Sequence, residues 1–273
     1  MSAGPLCAVV VAALVAALSV APAYAQDPVA GEFMMRVGDY VQRFVNAFSN
    51  VVAEERYEPG AGHRGRQRLR SDYLLVRSPG TEDNFLTFRD VVEVNGKPLR
   101  NQKERLTKLF MLPSENPLEQ ARAVSAHSAK YLPPTTDPLL AVVFLQREYQ
   151  ARFRYTLGER DPGVAPEVRR IHFVETQSPT ILGRADGRDL PTHGTAWVSE
   201  TSGRVFKTEL QLAGVTVTTV FGIDDTLQID VPIEMSESFS ASGVVVKSVA
   251  RYSRFRRFGV RTDETIETPE PGR

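Results

Sequence analysis

The chain has 273 residues, 42% hydrophobic and 24% charged, with 33 basic and 33 acidic side chains. That is the composition of a folded globular domain, and zero net charge provides no global field to draw in nucleic acid or an anionic membrane. The single cysteine, Cys7, lies near the start, so the rest of the chain has neither a disulfide nor a thiolate metal site.

The chain opens MSAGPLCAVVVAALVAALSVAPAYAQDP. An uncharged apolar run from Leu6 to Val20 ends at Pro22, and Ala23 and Ala25 are small residues at the −3 and −1 positions of a cleavage site. This is the pattern of a secretory leader removed after Ala25. The run, roughly 15 residues, is too short to span a bilayer. The residues before Cys7 do not form a lipoprotein cleavage box, so no lipid anchor is expected. The expected organisation is a signal peptide over 1–25, one domain over 26–261 and a disordered tail over 262–273, and the expected location is periplasmic or secreted.

Phe33, Val37, Tyr40, Val41, Phe44, Phe48, Val51 and Val52 recur at helical spacing. They predict one amphipathic helix of about 25 residues, ended by Pro59-Gly60. Its apolar stripe must cover something. Arg64, Arg66, Arg68 and Arg70 follow at every second position. In a strand they would share one face, as a patch for an anion or a partner or as a solvated surface. NFLTFRDVVEVNGKPLRN reads as a strand region with a hairpin turn at Asn95-Gly96. Lys103 to Tyr131 reads as two short helices around Pro113 to Pro117, and DPLLAVVFLQREYQ as a third, capped by Asp137 with Pro138 at its first position.

From Arg152 onward the chain reads as strands. In GRVFKTELQL, alternation sets Phe206, Thr208, Leu210 and Leu212 against Val205, Lys207, Glu209 and Gln211. In TLQIDVPIEM it sets Leu227, Ile229, Val231, Ile233 and Met235 against Gln228, Asp230, Pro232 and Glu234. One wet and one dry face is the mark of an antiparallel sheet. In ARYSRFRRF, Tyr252, Arg254, Arg256 and Phe258 alternate with Arg251, Ser253, Phe255 and Arg257; neither face is dry, which fits an edge or terminal strand. The fold class expected is α+β: a strongly curved antiparallel sheet, a half-barrel, covered by the N-terminal helix and the inserted helices. A sheet of about eight to eleven strands cannot stay flat.

No catalytic motif stands out. His63, His127, His172 and His193 have no ligand spacing, and there is no nucleophile elbow, phosphate loop or dinucleotide fingerprint. His193 or His172 would be the base if there were one. Asp224, Asp225 and Asp230 read as turn aspartates or a weak cation site. No metal, cofactor or nucleic-acid partner is expected, and no catalytic activity.

The Trp-bearing hairpin GTAWVSETSGRVFKTELQL, the strand TLQIDVPIEM and the closing ARYSRFRRF are similar to the LolA/LolB-like lipoprotein carriers of the bacterial periplasm and to the related RseB/MucB-type domains. The resemblance implies the same curved sheet. It points to an exported binding protein that holds a lipid, an acyl chain or another apolar ligand, with Leu86, Phe88, Phe206, Leu210, Leu212, Phe221 and Ile229 as candidate lining. The partner is then an apolar ligand or a lipidated protein. The alternative is an envelope protein-interaction or sensor module whose partners are envelope proteins, in which the arginines from Arg64 to Arg70 matter more than any pocket.

Overall fold

A computed structural model of the chain describes residues 28–49, 51–60, 67–77, 85–99, 130–131, 137–184, 186–241 and 243–257. The leader, His63, Arg64, Arg66, the two short helices expected over 103–131 with His127, and the tail lie outside or almost wholly outside these residues.

Helix α1 runs Pro28–Phe48, with proline at the first helical position, where its missing N–H costs nothing. Phe33, Val37, Tyr40, Val41, Phe44 and Phe48 are buried along one stripe, as their spacing predicts. The helix is shorter than expected. It ends where Ser49 donates back to the Val45 carbonyl from both its N–H and its hydroxyl, and Val51 and Val52 begin a strand instead, where β-branched side chains are at home.

Eleven antiparallel strands form one open sheet: β1 Val51–Glu58, β2 Leu69–Arg77, β3 Phe85–Val94, β4 Lys97–Pro98, β5 Phe153–Arg160, β6 Val168–Glu175, β7 His193–Ser199, β8 Val205–Leu212, β9 Val215–Ile223, β10 Asp230–Ala241 and β11 Val244–Arg257. Their order is β4-β3-β2-β1-β11-β10-β9-β8-β7-β6-β5. Two meanders are thus zipped together by the β1–β11 pair, and the edges are β4 and β5. The turns at Asn95-Gly96 and Ala213-Gly214 have positive φ at both residues, as two-residue hairpins require.

The chain between β4 and β5 has to pass from one edge of the sheet to the other. Its described part lies on the inner face. The Asp137 carboxylate accepts from the hydroxyls of Tyr73 on β2 and Thr87 on β3. Phe144 stacks on Phe153 of β5 and Phe173 of β6, with centroids 5.1 and 6.2 Å apart. In a flat sheet β2 and β6 would be about 34 Å apart. The residues from Asp137 to Phe144, in turns and the single-turn helix α2 (Leu140–Val143), cover roughly 10–15 Å. Both contacts exist only because the sheet curls. The helix expected over 137–150 is therefore broken: α2 and α3 (Arg147–Gln150) are separated by an extended Gln146, and Asp137 serves as a tie and an Asx turn to the Leu139 N–H.

Bulges re-aim three strands. Register slips opposite Phe206 in β8, at Ile233 in β10 and near Arg254 in β11, where φ is +54°. Val205, not Phe206, joins Leu210 and Leu212 in the core. Ile233 is exposed while Val231 and Met235 are buried. In β11, Tyr252 and Phe255 both face inward, Phe255 against Phe48 of α1. Arg251, Arg254 and Arg256 face outward on Glu234, Glu54 and Asp72. β11 lies mid-sheet between β1 and β10, not at an edge; its arginines are tolerable there because carboxylates of neighbouring strands meet them.

Candidate ligand site between helix and sheet

The inner face of the sheet has two chemical halves. Over β5 to β9, Phe144, Phe153, Phe173, Leu210, Leu212 and Phe221 form an apolar wall under α1. Over β11, β1, β2 and β3 the core continues through Val51, Tyr57, Leu75 and Val91, but it also holds a buried charged pair. Glu55 is 0% exposed and takes two hydrogen bonds from Arg89, at 2.5 and 2.7 Å, and one from the Tyr252 hydroxyl at 2.9 Å. The Arg89 guanidinium lies 5.6 Å from the Tyr73 ring centre. Burial works against the charge on Arg89, but the Glu55 carboxylate outweighs it and holds the guanidinium pKa above its ordinary value. Burial, with Glu55 and Asp137 adding to it, pushes the phenols of Tyr252 and Tyr73 well above the usual tyrosine range.

Between α1 and the apolar wall lies a thin gap, lined by Tyr40, Phe44, Val142, Val205 and Phe221, which does not admit a water. Outside it, sharing Tyr40 and Phe44, opens a mouth of about 360 Å³. Tyr40, Arg43, Phe44 and Ala47 of α1 form one wall, and Arg204, Ile229 and Asp230 are part of the other. The β7–β8 hairpin that carries Arg204 is seated on the helix by Gly203: its φ is +73°, and a Cβ there would collide with the Arg36 carbonyl. On the far side, the Asp224 carboxylate closes the β9–β10 turn by accepting from the N–H groups of Thr226 and Leu227, at 3.1 and 2.7 Å. Arg204 pairs with Asp230 at 2.8 Å and lies 4.6 Å from the Phe206 ring centre. The Tyr40 hydroxyl is buried with no hydrogen-bond partner. Burial raises its pKa far above the ordinary phenol value, and the nearby Asp230 charge raises it further.

The predicted lining residues divide. Leu210, Leu212 and Phe221 are in the core; Phe221 borders the gap and meets Phe44 edge-on at 5.8 Å. Ile229 is half-buried at the mouth. Phe88 is a correction: Thr87 and Arg89 point inward to Asp137 and Glu55, so Phe88 faces the opposite side, cross-strand from Leu74. Phe206 is the second, turned out of the core by its bulge and covered by Arg204. Leu86 pairs with Val76 in β3, but its side chain is outside the described residues.

Of the arginine run, Arg68 and Arg70 are described, and only Arg70 lies on a strand. β2 begins at Leu69, so Arg68 is an exposed residue before it. Arg70 pairs with Glu93 at 2.9 Å and reaches Glu54 at 4.0 Å. A ladder runs across strands: Glu234, Arg251, Arg56, Arg70 and Glu93 are opposed in sequence from β10 to β3. Arg56, Arg68 and Arg70 also line an open polar groove of about 810 Å³ with Glu58, Glu93 and Asn95. His172 contacts the Thr195 hydroxyl at 3.0 Å and His193 the Gln211 amide at 3.1 Å, both at the exposed surface. Trp197 faces outward, its indole N–H on Asp161 at 2.9 Å and Lys207 4.1 Å from its ring centre. Among the described residues no group of histidine, cysteine or acidic side chains is placed to hold a metal, and no helix is long and apolar enough to cross a membrane.

Glu55, Arg89, Tyr40 and Arg43 are not among the predicted residues. Glu55 left a trace: it follows Val51 and Ala53 and precedes Tyr57 on the dry positions of β1, where an acid needs a buried partner. Nothing local marks Arg89 as that partner.

No family model and no curated protein sequence matches the chain. Among solved structures it is similar to a LolA superfamily protein from Nitrosomonas europaea, at 12% identity and a TM-score of 0.38 over 83% of this chain and 94% of that one. It is also similar to a protein domain from Vibrio parahaemolyticus with an outer membrane lipoprotein-sorting designation, at 10% identity and 0.38 over 84% and 90%. A fainter likeness, at 9% identity and 0.18 over 82% and 99%, is to the MucA/MucB complex of Pseudomonas aeruginosa. These are the groups whose likeness the sequence suggested.

Proposed function

We propose that this is an exported cell-envelope binding protein, acting without catalysis, that takes an apolar chain between α1 and the curled sheet. The ligand class is the acyl portion of a lipid or of a lipidated protein. The observation that carries the reading is the mouth leading past Tyr40 and Phe44 toward a gap whose other walls, Val142, Val205 and Phe221, are apolar. A pocket of a few hundred Å³ with apolar walls and few polar anchors suits a small apolar ligand. The gap is too thin to hold a chain as it stands, so binding has to part α1 from the sheet. Phe44 and Phe221 separate first, because their edge-on contact closes the passage. The leader pattern supports export.

The test is native mass spectrometry of the leader-free protein purified from its own envelope, with titration of a fluorescent fatty acid. A retained lipid or saturable fatty-acid binding is expected. Absence of both overturns the reading.

A second reading, an interaction module, is favoured by the closed gap under α1 and by the cross-strand row of Arg251, Arg56 and Arg70 on the outer face. If changing these three to serine removes envelope proteins from a pull-down while lipid is absent, this reading replaces the first.

A further inference from the structure

We infer that the mouth between α1 and the β7–β8 hairpin is an anchor for an anionic head group, and that the ligand is an acyl-type amphiphile bearing a carboxylate or a phosphate. This rests on the apolar-chain reading above and adds the chemistry of the ligand's other end.

Tyr40, Arg43, Phe44 and Ala47 stand at i, i+3, i+4 and i+7 along a single edge of α1, and all four line the mouth. Phe44 belongs also to the apolar gap, where a chain would pass. Two polar groups of this edge lack a partner. The Tyr40 side chain is 8% exposed, and its hydroxyl, though near Asp230 and Arg204, makes no hydrogen bond of normal geometry to either. Arg43 is exposed on the rim and, among the described residues, has no carboxylate partner. The other two charges are already spent on each other, since Arg204 grips the Asp230 carboxylate through both its Nε and an Nη. Arg43 is therefore the uncompensated charge of the mouth. A head-group oxygen placed there accepts from the Tyr40 hydroxyl and from the Arg43 guanidinium, and the tail enters beside Phe44. A neutral head would leave Arg43 unused. A cationic head would meet it as a like charge.

The test is isothermal titration calorimetry of the leader-free chain with dodecanoate, dodecyl phosphate and dodecan-1-ol, on the native protein and on Arg43→Ala and Tyr40→Phe. Both variants keep the helix and its apolar contacts, and thermal unfolding checks that they fold. The native protein is expected to bind at least one of the two anions about tenfold or more tighter than the alcohol, as a charge-assisted hydrogen bond implies. Whichever anion binds tighter identifies the head group. Arg43→Ala should bring the anion-to-alcohol ratio close to one, and Tyr40→Phe should lower it about three- to tenfold. Equal binding of anions and alcohol by the native protein overturns the anchor and leaves the apolar site standing. An undiminished preference in Arg43→Ala also overturns it. Failure of all three ligands to bind overturns the apolar-chain reading as well.

Discussion

Arg89 and Glu55 meet on the inner face of β3 and β1, where neither can be replaced without consequence. Glu55 is wholly buried, and its two oxygens take all their compensation from Arg89 and Tyr252. Removing one member of such a pair strands the other charge, at about 3–5 kcal/mol. Arg89→Ala should therefore lower the midpoint of thermal unfolding by roughly 10 °C, at about 2–4 °C per kcal/mol for a chain of this size. Replacing both residues by methionine should recover most of that loss, because a well-packed apolar pair has no charge to desolvate. Calorimetry of the single and double variants separates the pair's charge from its packing. Glu55 falls on a dry position of β1 only once Val51–Glu58 is known to be a strand and not the end of the helix. Arg89 could not be foreseen even then, since its partner is 34 residues away in the chain.

Elements were legible where their signals are local. The stripe of α1 repeats within each turn, and the Asn95-Gly96 hairpin is set by two residues' backbone angles. Alternation within strands was less secure. A bulge is created by the partner strand, so Phe206, Ile233 and Arg254 each sit at a place where a strict two-residue period assigns the wrong face downstream or upstream. The β7–β8 hairpin shows what an element needs beyond its own sequence. Gly203 has a left-handed backbone and abuts the Arg36 carbonyl of α1. Gly203→Ala should cost about 2 kcal/mol or more, from the backbone conformation and the collision together. It should also lift the hairpin from the helix, widening the mouth. Hydrogen exchange should then rise selectively at Arg36 and Val37 and in the hairpin; uniform protection would show that the contact is not what seats it.

Among the described residues, five phenols are held above the ordinary tyrosine range, chiefly by burial: Tyr40 on α1, Tyr73 on β2, Tyr149 on α3, Tyr155 on β5 and Tyr252 on β11. Above about pH 10 the unfolded chain gives up these protons while the folded chain keeps them. Stability is thus complete below that pH and falls as pH rises through it, by about 1.4 kcal/mol per pH unit for each proton. Thermal unfolding should show a steep loss between roughly pH 10 and 12, with the phenolate absorbance of these residues appearing together with unfolding rather than before it. Replacing Tyr252 by phenylalanine should make the slope shallower.

Taken alone, the amino-acid sequence determined the secretory leader pattern, the N-terminal amphipathic helix, the hairpin turns and the preponderance of antiparallel strands. Each of these is written in residues a few positions apart. Tertiary structure decided the rest. It set β11 in the middle of the sheet by pairing it with β1, as in the bond from Arg254 to Glu54 across 200 residues. It turned Phe88 and Phe206 away from the interior and closed the gap between Phe44 and Phe221 until no water fits there. It also brought Tyr40 and Arg43 of the helix against Arg204 and Asp230 of two distant strand ends. Strand pairing, bulge position and the meeting of a helix edge with a hairpin depend on partners far away in the chain, so no local period can carry them.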